Sequence, residues 1–119
     1  MDQINPKIEV EYEKNATITK LRDTRILDQA DIQALEESII PLIEASDSIN
    51  LIIDFSNVQF LTSAVLGLLI RVSKKVYESE GQLRLCAIDN KILEIFRITR
   101  LDRVFDIHED RYEALRSLE

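Results

Sequence analysis

Residues 51–77 constrain the fold of this chain more than any other stretch. They open with three aliphatic residues, 51–53, which is typical of a strand buried on both faces. Asp54 and the polar residues after it favour a turn. Beyond Thr62 and Ser63, apolar residues recur with the spacing of one helix face, at Val65, Leu69, Val72 and Val76. The segment therefore predicts a buried strand, a loop and a helix, with two hydroxyl groups where the helix begins.

A hairpin and a helix are predicted before this stretch. Apolar residues alternate with glutamates over residues 8–13, and residues 16–19 predict a second strand after a turn at Lys14-Asn15. Asp28 is a good N-cap for a helix whose apolar stripe is formed by Ile32, Leu35, Ile39 and Leu42. Pro41 lies inside that helix and has no backbone N–H, so we expect a kink or an early end there.

Strand and helix patterns continue to alternate after the central helix. Gly81, which is free to adopt a positive φ, is expected to end that helix. Residues 83–87 predict a strand, and Asp89 or Asn90 is expected to cap a helix with an apolar side of Ile92, Leu93, Ile95 and Phe96. Residues 104–107 predict a last strand, and residues 111–118 a terminal helix whose inward side chains are Tyr112, Leu115 and Leu118.

This element order predicts an α/β fold. We expect a mixed sheet of four to five strands, with an N-terminal hairpin followed by parallel strands, covered by about four helices. The length of 119 residues suits one domain, residues 1–119, and leaves too little chain for two.

Charge and composition exclude several classes of function. The net charge of −7 provides no basic face for nucleic acid or for an anionic membrane surface. The only glycines are Gly67 and Gly81, so the chain has no glycine-rich phosphate loop. We find no signal peptide, no apolar run long enough to span a membrane, and no second cysteine to pair with Cys86. We therefore expect a cytoplasmic protein that does not insert into membranes.

Residues suited to catalysis or to metal binding are scarce. His108 is the only histidine, and no Cys/His group has the spacing of metal ligands. Cys86 lies in a predicted strand and is better interpreted as a core residue than as a nucleophile. The acidic residues are typical of solvated helix faces and ends. We therefore expect no enzyme activity, no metal and no cofactor.

The candidate site lies at the start of the central helix, and each of its residues has two interpretations. Asp54 either caps its own loop or lies beside Ser63, at the edge where ligands of open parallel sheets bind. Thr62 and Ser63 either cap the helix or present a hydroxyl to a partner. On the same helix Leu66, Ile70 and Tyr77 form an apolar flank, which is either a docking surface or is covered by a neighbouring helix.

The segment DFSNVQFLTSAVLGLL resembles the central motif of STAS domains, the fold of the bacterial anti-sigma-factor antagonists. RILDQADIQAL resembles the family's lead into its first helix, and GQLRLCAIDNKILEIFRITRLDRVF resembles its next strand, helix and final strand. The resemblance covers most of the chain, about residues 8–118. It implies that Ser63 corresponds to the serine that a partner kinase phosphorylates, and Asp54 to the acidic residue at the strand end.

The motif also departs from the family pattern. The family's usual aspartate before the serine is Thr62 here, and the usual serine-glycine after it is Ala64-Val65, whereas Gly67 is retained. The resemblance implies a protein-interaction switch that binds an anti-sigma-factor serine kinase and is controlled by phosphorylation of Ser63. The partner-binding residues expected on this basis are Asp54, Thr62, Ser63, Leu66, Gly67 and Ile70. Two alternative functions stay open: a non-catalytic subunit of a membrane lipid or anion transport complex, and a signalling scaffold that is not phosphorylated. Formation of a homo-oligomer is also possible.

Overall fold

The computed structural model describes residues 5–13 and 15–119. Seven strands and four helices lie within these residues, and they are numbered here in chain order. The strands are β1 (Ile8–Glu13), β2 (Ala16–Leu21), β3 (Arg25–Ile26), β4 (Asn50–Asp54), β5 (Phe60–Leu61), β6 (Gln82–Cys86) and β7 (Ile107–His108). The helices are α1 (Gln29–Glu44), α2 (Ser63–Glu78), α3 (Asn90–Ile98) and α4 (Arg111–Arg116).

The main sheet has five strands in the order β1-β2-β4-β6-β7. β1 and β2 pair antiparallel, and each later neighbour pairs parallel. This is the predicted mixed sheet with an N-terminal hairpin and four helices, so the predicted fold class is confirmed. Of the turn predicted at Lys14-Asn15, Lys14 lies outside the described residues. Because β4, β6 and β7 run parallel, the helix that follows each of them begins at the same edge of the sheet.

The core is divided between the two faces of the sheet. The larger cluster combines one face of the sheet with the buried stripes of α1, α2 and α3. The smaller cluster lies on the other face, where Ala114 of α4 packs on Ile18, Ile52 and Cys86. β4 contributes to both clusters, with Leu51 and Ile53 in one and Ile52 in the other, as expected for a strand buried on both faces.

Helix α1 begins as predicted and ends later than predicted. The Asp28 side chain accepts the Asp31 N–H at 2.8 Å, so the predicted cap is confirmed. The early end expected at Pro41 is wrong, because the helix continues to Glu44. Pro41 lies on the exposed side of the helix, where water can reach the carbonyl that its missing N–H leaves free.

The turn after α2 differs from the expectation for Gly81. Glu80 adopts the positive φ, at 62°, whereas Gly81 does not. Gly81 is required for another reason, because a Cβ at this position would overlap the carbonyl oxygen of Ile49. The glycine therefore allows two backbone segments to approach closely, which is a tertiary constraint.

The C-terminal elements are shorter than predicted. Residues 104–106 are not a strand, because a 3-10 turn at Leu101–Arg103 comes first and β7 contains only Ile107–His108. α4 ends at Arg116. Tyr112 is exposed, so its predicted inward position is wrong, and Ala114 is the residue of α4 that is buried. A helix this short can turn only a narrow stripe to the sheet, and the small Ala114 allows it to approach closely.

Candidate functional site

The site is built around the start of α2, where the hydroxyl groups of Thr62 and Ser63 have different environments. Thr62 occupies the N-cap position, but its side chain makes no capping hydrogen bond. Its Oγ1 is buried and has no hydrogen-bond partner within the described residues. Ser63 is the first helical residue and is exposed. The interpretation of the two hydroxyls as side-chain caps therefore does not hold for Thr62, and the Ser63 hydroxyl is accessible.

The other three helices begin differently. Each has an N-cap aspartate, Asp28, Asp89 or Asp110, whose side chain accepts a backbone N–H of the first turn. Such a bond satisfies one of the four N–H groups that every helix start leaves unpaired. At the start of α2, the side chain of the N-cap residue makes no such bond. The Val65 N–H donates to the Thr62 carbonyl at 3.0 Å, so within the described residues the N–H groups of Ser63 and Ala64 are the ones that remain available to an acceptor next to Ser63.

The loop that leads to Ser63 is held by backbone hydrogen bonds to a second, two-stranded sheet. In that sheet β3 and β5 pair parallel, with Ile26 opposite Leu61. The Thr62 N–H donates to the Ile26 carbonyl at 3.1 Å. This pairing extends to the first residue before α2, so the position of Ser63 is determined by a neighbouring strand and not by a flexible loop.

Asp54 lies at the beginning of the same loop and is almost fully buried, with 4% of its surface exposed. Its Oδ1 accepts the Ser56 N–H at 2.8 Å, and its Oδ2 accepts from the Arg111 guanidinium at 2.9 Å. Arg111 also donates to Glu11 at 2.8 Å, so it joins α4 to β4 and β1. Burial opposes ionisation of Asp54, but the Ser56 N–H and Arg111 outweigh it and lower the pKa of this carboxyl. Of the two interpretations of Asp54, these contacts favour the structural one.

The predicted apolar flank of α2 is divided by the structure. Leu66 is only 5% exposed and belongs to the core, so its prediction as an accessible docking residue is wrong. Ile70 is 47% exposed, and Tyr77 is exposed as well. Within one helix, a rotation of about 40° separates residues four positions apart, and this is enough to carry Ile70 out of the core that covers Leu66.

Gly67 and Arg71 occupy the outer face of α2. The Arg71 guanidinium binds Glu36 of α1, with its Nη2 donating to Oε1 at 2.8 Å and its Nε to Oε2 at 3.0 Å. A Cβ at Gly67 would lie 3.6 Å from the Arg71 Nη1, which is ordinary contact. Nothing within residues 5–13 and 15–119 therefore requires a glycine at position 67 on steric grounds.

Two exposed apolar residues beside the site were not anticipated from the sequence. Phe60 of β5 is 48% exposed, and the Arg25 guanidinium lies 5.0 Å from the centre of its ring. Leu27, which follows β3 directly, is also exposed. The only sign of this exposed surface in the sequence is an aromatic residue in a predicted loop. Strands of two residues are too short to show the alternation of apolar and polar residues that predicts a strand.

The structure also describes the features that the sequence analysis did not connect with chemistry, beginning with Cys86. Burial, together with the Asp54 charge, raises the pKa of the Cys86 thiol to about 12, so the reactive thiolate is disfavoured. Among residues 5–13 and 15–119, no group of three or more His, Cys, Asp or Glu side chains is arranged to hold a metal ion. No helix within the same ranges is long and apolar enough to span a membrane.

Comparison with known proteins gives the family. The model of the STAS domain matches residues 8–114, which is nearly the whole chain. This chain belongs to the STAS domain family. The resemblance recognised in the central motif is thereby confirmed.

Individual relatives are distant in sequence and close in fold. The anti-sigma F factor antagonist of Paenibacillus polymyxa is 21% identical over 116 residues, which cover 98% of this chain and 97% of that protein. A solved STAS domain protein from Planctomyces limnophilus has a TM-score of 0.86 at 22% identity, covering 94% of this chain and 97% of that one. The phosphorylated form of the Bacillus cell fate determinant SpoIIAA has a TM-score of 0.67 at 13% identity, covering 92% and 98%.

Proposed function

We propose that this STAS domain is an anti-sigma-factor antagonist, a protein-interaction switch controlled by phosphorylation of Ser63. In its unmodified form it binds a serine kinase of the anti-sigma-factor class through the surface around the start of α2. Binding occupies the kinase and frees the other client of that protein. Phosphorylation of Ser63 then ends the interaction. Among the partner-binding residues predicted from the sequence, Ser63 and Ile70 are the ones proposed here to contact the partner directly.

The observation that carries the proposal is the combination of an exposed Ser63 with a helix start that has no side-chain cap. A kinase needs an accessible hydroxyl, and the phosphate it adds needs hydrogen-bond donors. The backbone N–H groups of Ser63 and Ala64 and the positive end of the helix dipole supply them, a favourable contribution of about 0.3–1 kcal/mol per negative charge. Phosphorylation is therefore compatible with the folded domain.

The same geometry supports release of the partner by charge. A phosphate adds about −1.5 to −2 charges at neutral pH. The one arginine of α2 is Arg71, whose guanidinium is occupied by Glu36. The added charge would thus remain on the surface of a chain that already has a net charge of −7. An interface formed around a neutral Ser63 loses affinity when this charge is buried or repelled.

The test is binding of the Ser63 variants to the anti-sigma-factor kinase encoded in the same genome neighbourhood. We expect Ser63→Asp to weaken binding at least tenfold, about 1.4 kcal/mol, and Ser63→Ala to bind like the wild type without release by ATP. Incubation of the wild type with the kinase and ATP should add one phosphoryl group, located at Ser63 by mass spectrometry.

The matched control is Ser48→Asp, which places the same charge on an exposed serine in the loop before β4. This loop lies at the opposite edge of the sheet from α2's start. We expect Ser48→Asp to leave binding unchanged, and circular dichroism should show both variants folded. If Ser63→Asp binds as tightly as Ser48→Asp, the charge switch is wrong, and the Thr62-Ser63-Ala64 motif belongs to a scaffold that is not phosphorylated.

A further inference from the structure

A cleft lies at the same edge of the sheet as Ser63, two strands away. It has a volume of about 310 Å³ and lies between the loop after β6, the first turns of α3 and the end of β7. Its lining residues are Ile88, Asn90, Leu93, Ile107, His108 and Glu109. Neighbouring strands are about 4.8 Å apart, so β4, which leads to α2, and β7 are separated by about 10 Å. The buried stripes of α2 and α3 also pack in the same core cluster, on one face of the sheet, so one protein partner can contact both the start of α2 and this cleft.

The size and the walls of the cleft restrict its occupant. Ligand pockets commonly have volumes of about 300–1,000 Å³, and 310 Å³ is at the lower limit. This space suits one long side chain better than a nucleotide. Ile88, Leu93 and Ile107 supply apolar walls, while Asn90 and Glu109 supply the polar groups. The occupant should therefore combine an aliphatic stem with a polar head.

The charge of the cleft determines the sign of that head. Within the described residues, Glu109 forms no ion pair and no side-chain hydrogen bond, and the Asn90 side chain likewise has no partner. The ring nitrogens of His108 each lie 3.1 Å from a carboxylate oxygen, Nε2 from Asp106 and Nδ1 from Glu113, and the buried Nε2 makes no hydrogen bond within the described residues. These two carboxylates add to the negative charge around the cleft. A cation is therefore favoured at the mouth of the cleft, with Lys91 as the neighbouring positive charge on α3.

We propose that this cleft receives an arginine or lysine side chain of the protein partner, with the aliphatic stem on Leu93 and Ile107 and the charged head on Glu109 and Asn90. The identity of that partner rests on the proposed function, whereas the preference of the cleft for a cation does not. The contact adds a fixed anchor beside the Ser63 surface. Long basic side chains suit it because their stems pack on apolar surface while their heads stay charged.

The preference can be tested on the full chain without any partner. The probe is Nα-acetyl-arginine amide, titrated at millimolar concentration and followed by two-dimensional amide NMR. We expect saturable shifts at Asn90, Leu93 and Glu109. Nα-acetyl-citrulline amide, which has nearly the same shape and no charge, should bind much more weakly. Glu109→Gln should weaken the arginine probe by about threefold, the scale of one exposed ion pair, and leave the citrulline probe unaffected. Equal binding of the two probes, or shifts elsewhere only, would overturn the proposal.

Binding of the kinase separates this inference from the proposed function. If Ser63→Asp abolishes kinase binding while Glu109→Gln and Leu93→Asn do not weaken it, the switch stands and the anchor is wrong. If the arginine probe binds at the cleft but Ser63→Asp binds the kinase like the wild type, the cation preference stands and the switch is wrong. When both proposals hold, Glu109→Gln weakens kinase binding by a factor similar to that for the probe, and the Ser63 effect is much larger.

Discussion

Removal of the Arg111 guanidinium should destabilise this domain far more than removal of an equally well-bonded arginine on its surface. Arg111 binds the Asp54 carboxylate through Nη2 at 2.9 Å and Nε at 3.3 Å. The Asp54 side chain is only 5% exposed, whereas that of Arg111 is 22% exposed. In Arg111→Gln, the carboxylate stays buried and keeps the Ser56 N–H as its remaining donor. The loop that leads to Ser63 then begins at an uncompensated charge.

The magnitude follows from the burial of the two partners. Breaking a fully buried ion pair costs about 3–5 kcal/mol. Here water reaches the arginine side and Ser56 still donates, so we expect Arg111→Gln to lower the free energy of unfolding by about 2–3 kcal/mol. The matched control is Arg71→Gln, whose partner is Glu36 and whose side chain is 52% exposed. An exposed pair of this kind contributes about 0–1 kcal/mol.

Urea unfolding at neutral pH, followed by circular dichroism, measures both variants. The pH dependence provides an independent check, because the folded state lowers the pKa of Asp54. Its contribution is therefore complete above the unfolded-state pKa of about 3.9 and is lost as the pH falls through the folded-state pKa. The difference between wild type and Arg111→Gln should shrink below about pH 4. Equal losses for Arg111→Gln and Arg71→Gln at neutral pH would refute the argument.

Three further predictions concern residues whose burial the structure decides. Ile70→Asp should abolish kinase binding and change the free energy of unfolding by less than about 1 kcal/mol. Leu66→Asp should lower the free energy of unfolding by more than about 3 kcal/mol, because it buries an unpaired charge. A large loss of stability for Ile70→Asp would show that this residue belongs to the core. Gly67→Ala should stabilise α2 by about 0.5–1 kcal/mol, while Gly81→Ala should destabilise by about 1–3 kcal/mol, and urea midpoints in the opposite order would contradict the backbone contact described above. Cys86 should resist a thiol reagent in the native protein and react on unfolding, so rapid native labelling would show that its burial and raised pKa are wrong.

The sequence by itself determined the elements whose pattern is local. The aliphatic run 51–53 specified the central strand, since a strand covered on both faces needs apolar residues at consecutive positions. The spacing of Val65, Leu69, Val72 and Val76 specified the buried side of α2, and all four are buried. The Asp28 and Asp89 caps were also predictable, because a capping side chain and the N–H that donates to it are at most three residues apart. The central motif then identified the family.

Tertiary structure alone decided which of the candidate site residues are accessible. Leu66 and Ile70 have the same character in the sequence, and only packing against the rest of the core separates a buried residue from an exposed one. Asp54 was open to two interpretations until Arg111, 57 residues away, proved to be its partner. The sequence predicted that Gly81 adopts a positive φ. The structure shows instead that a glycine is needed there because the Ile49 backbone leaves no room for a Cβ. In each case the deciding atoms come from a remote part of the chain, and short-range periodicity contains no information about them.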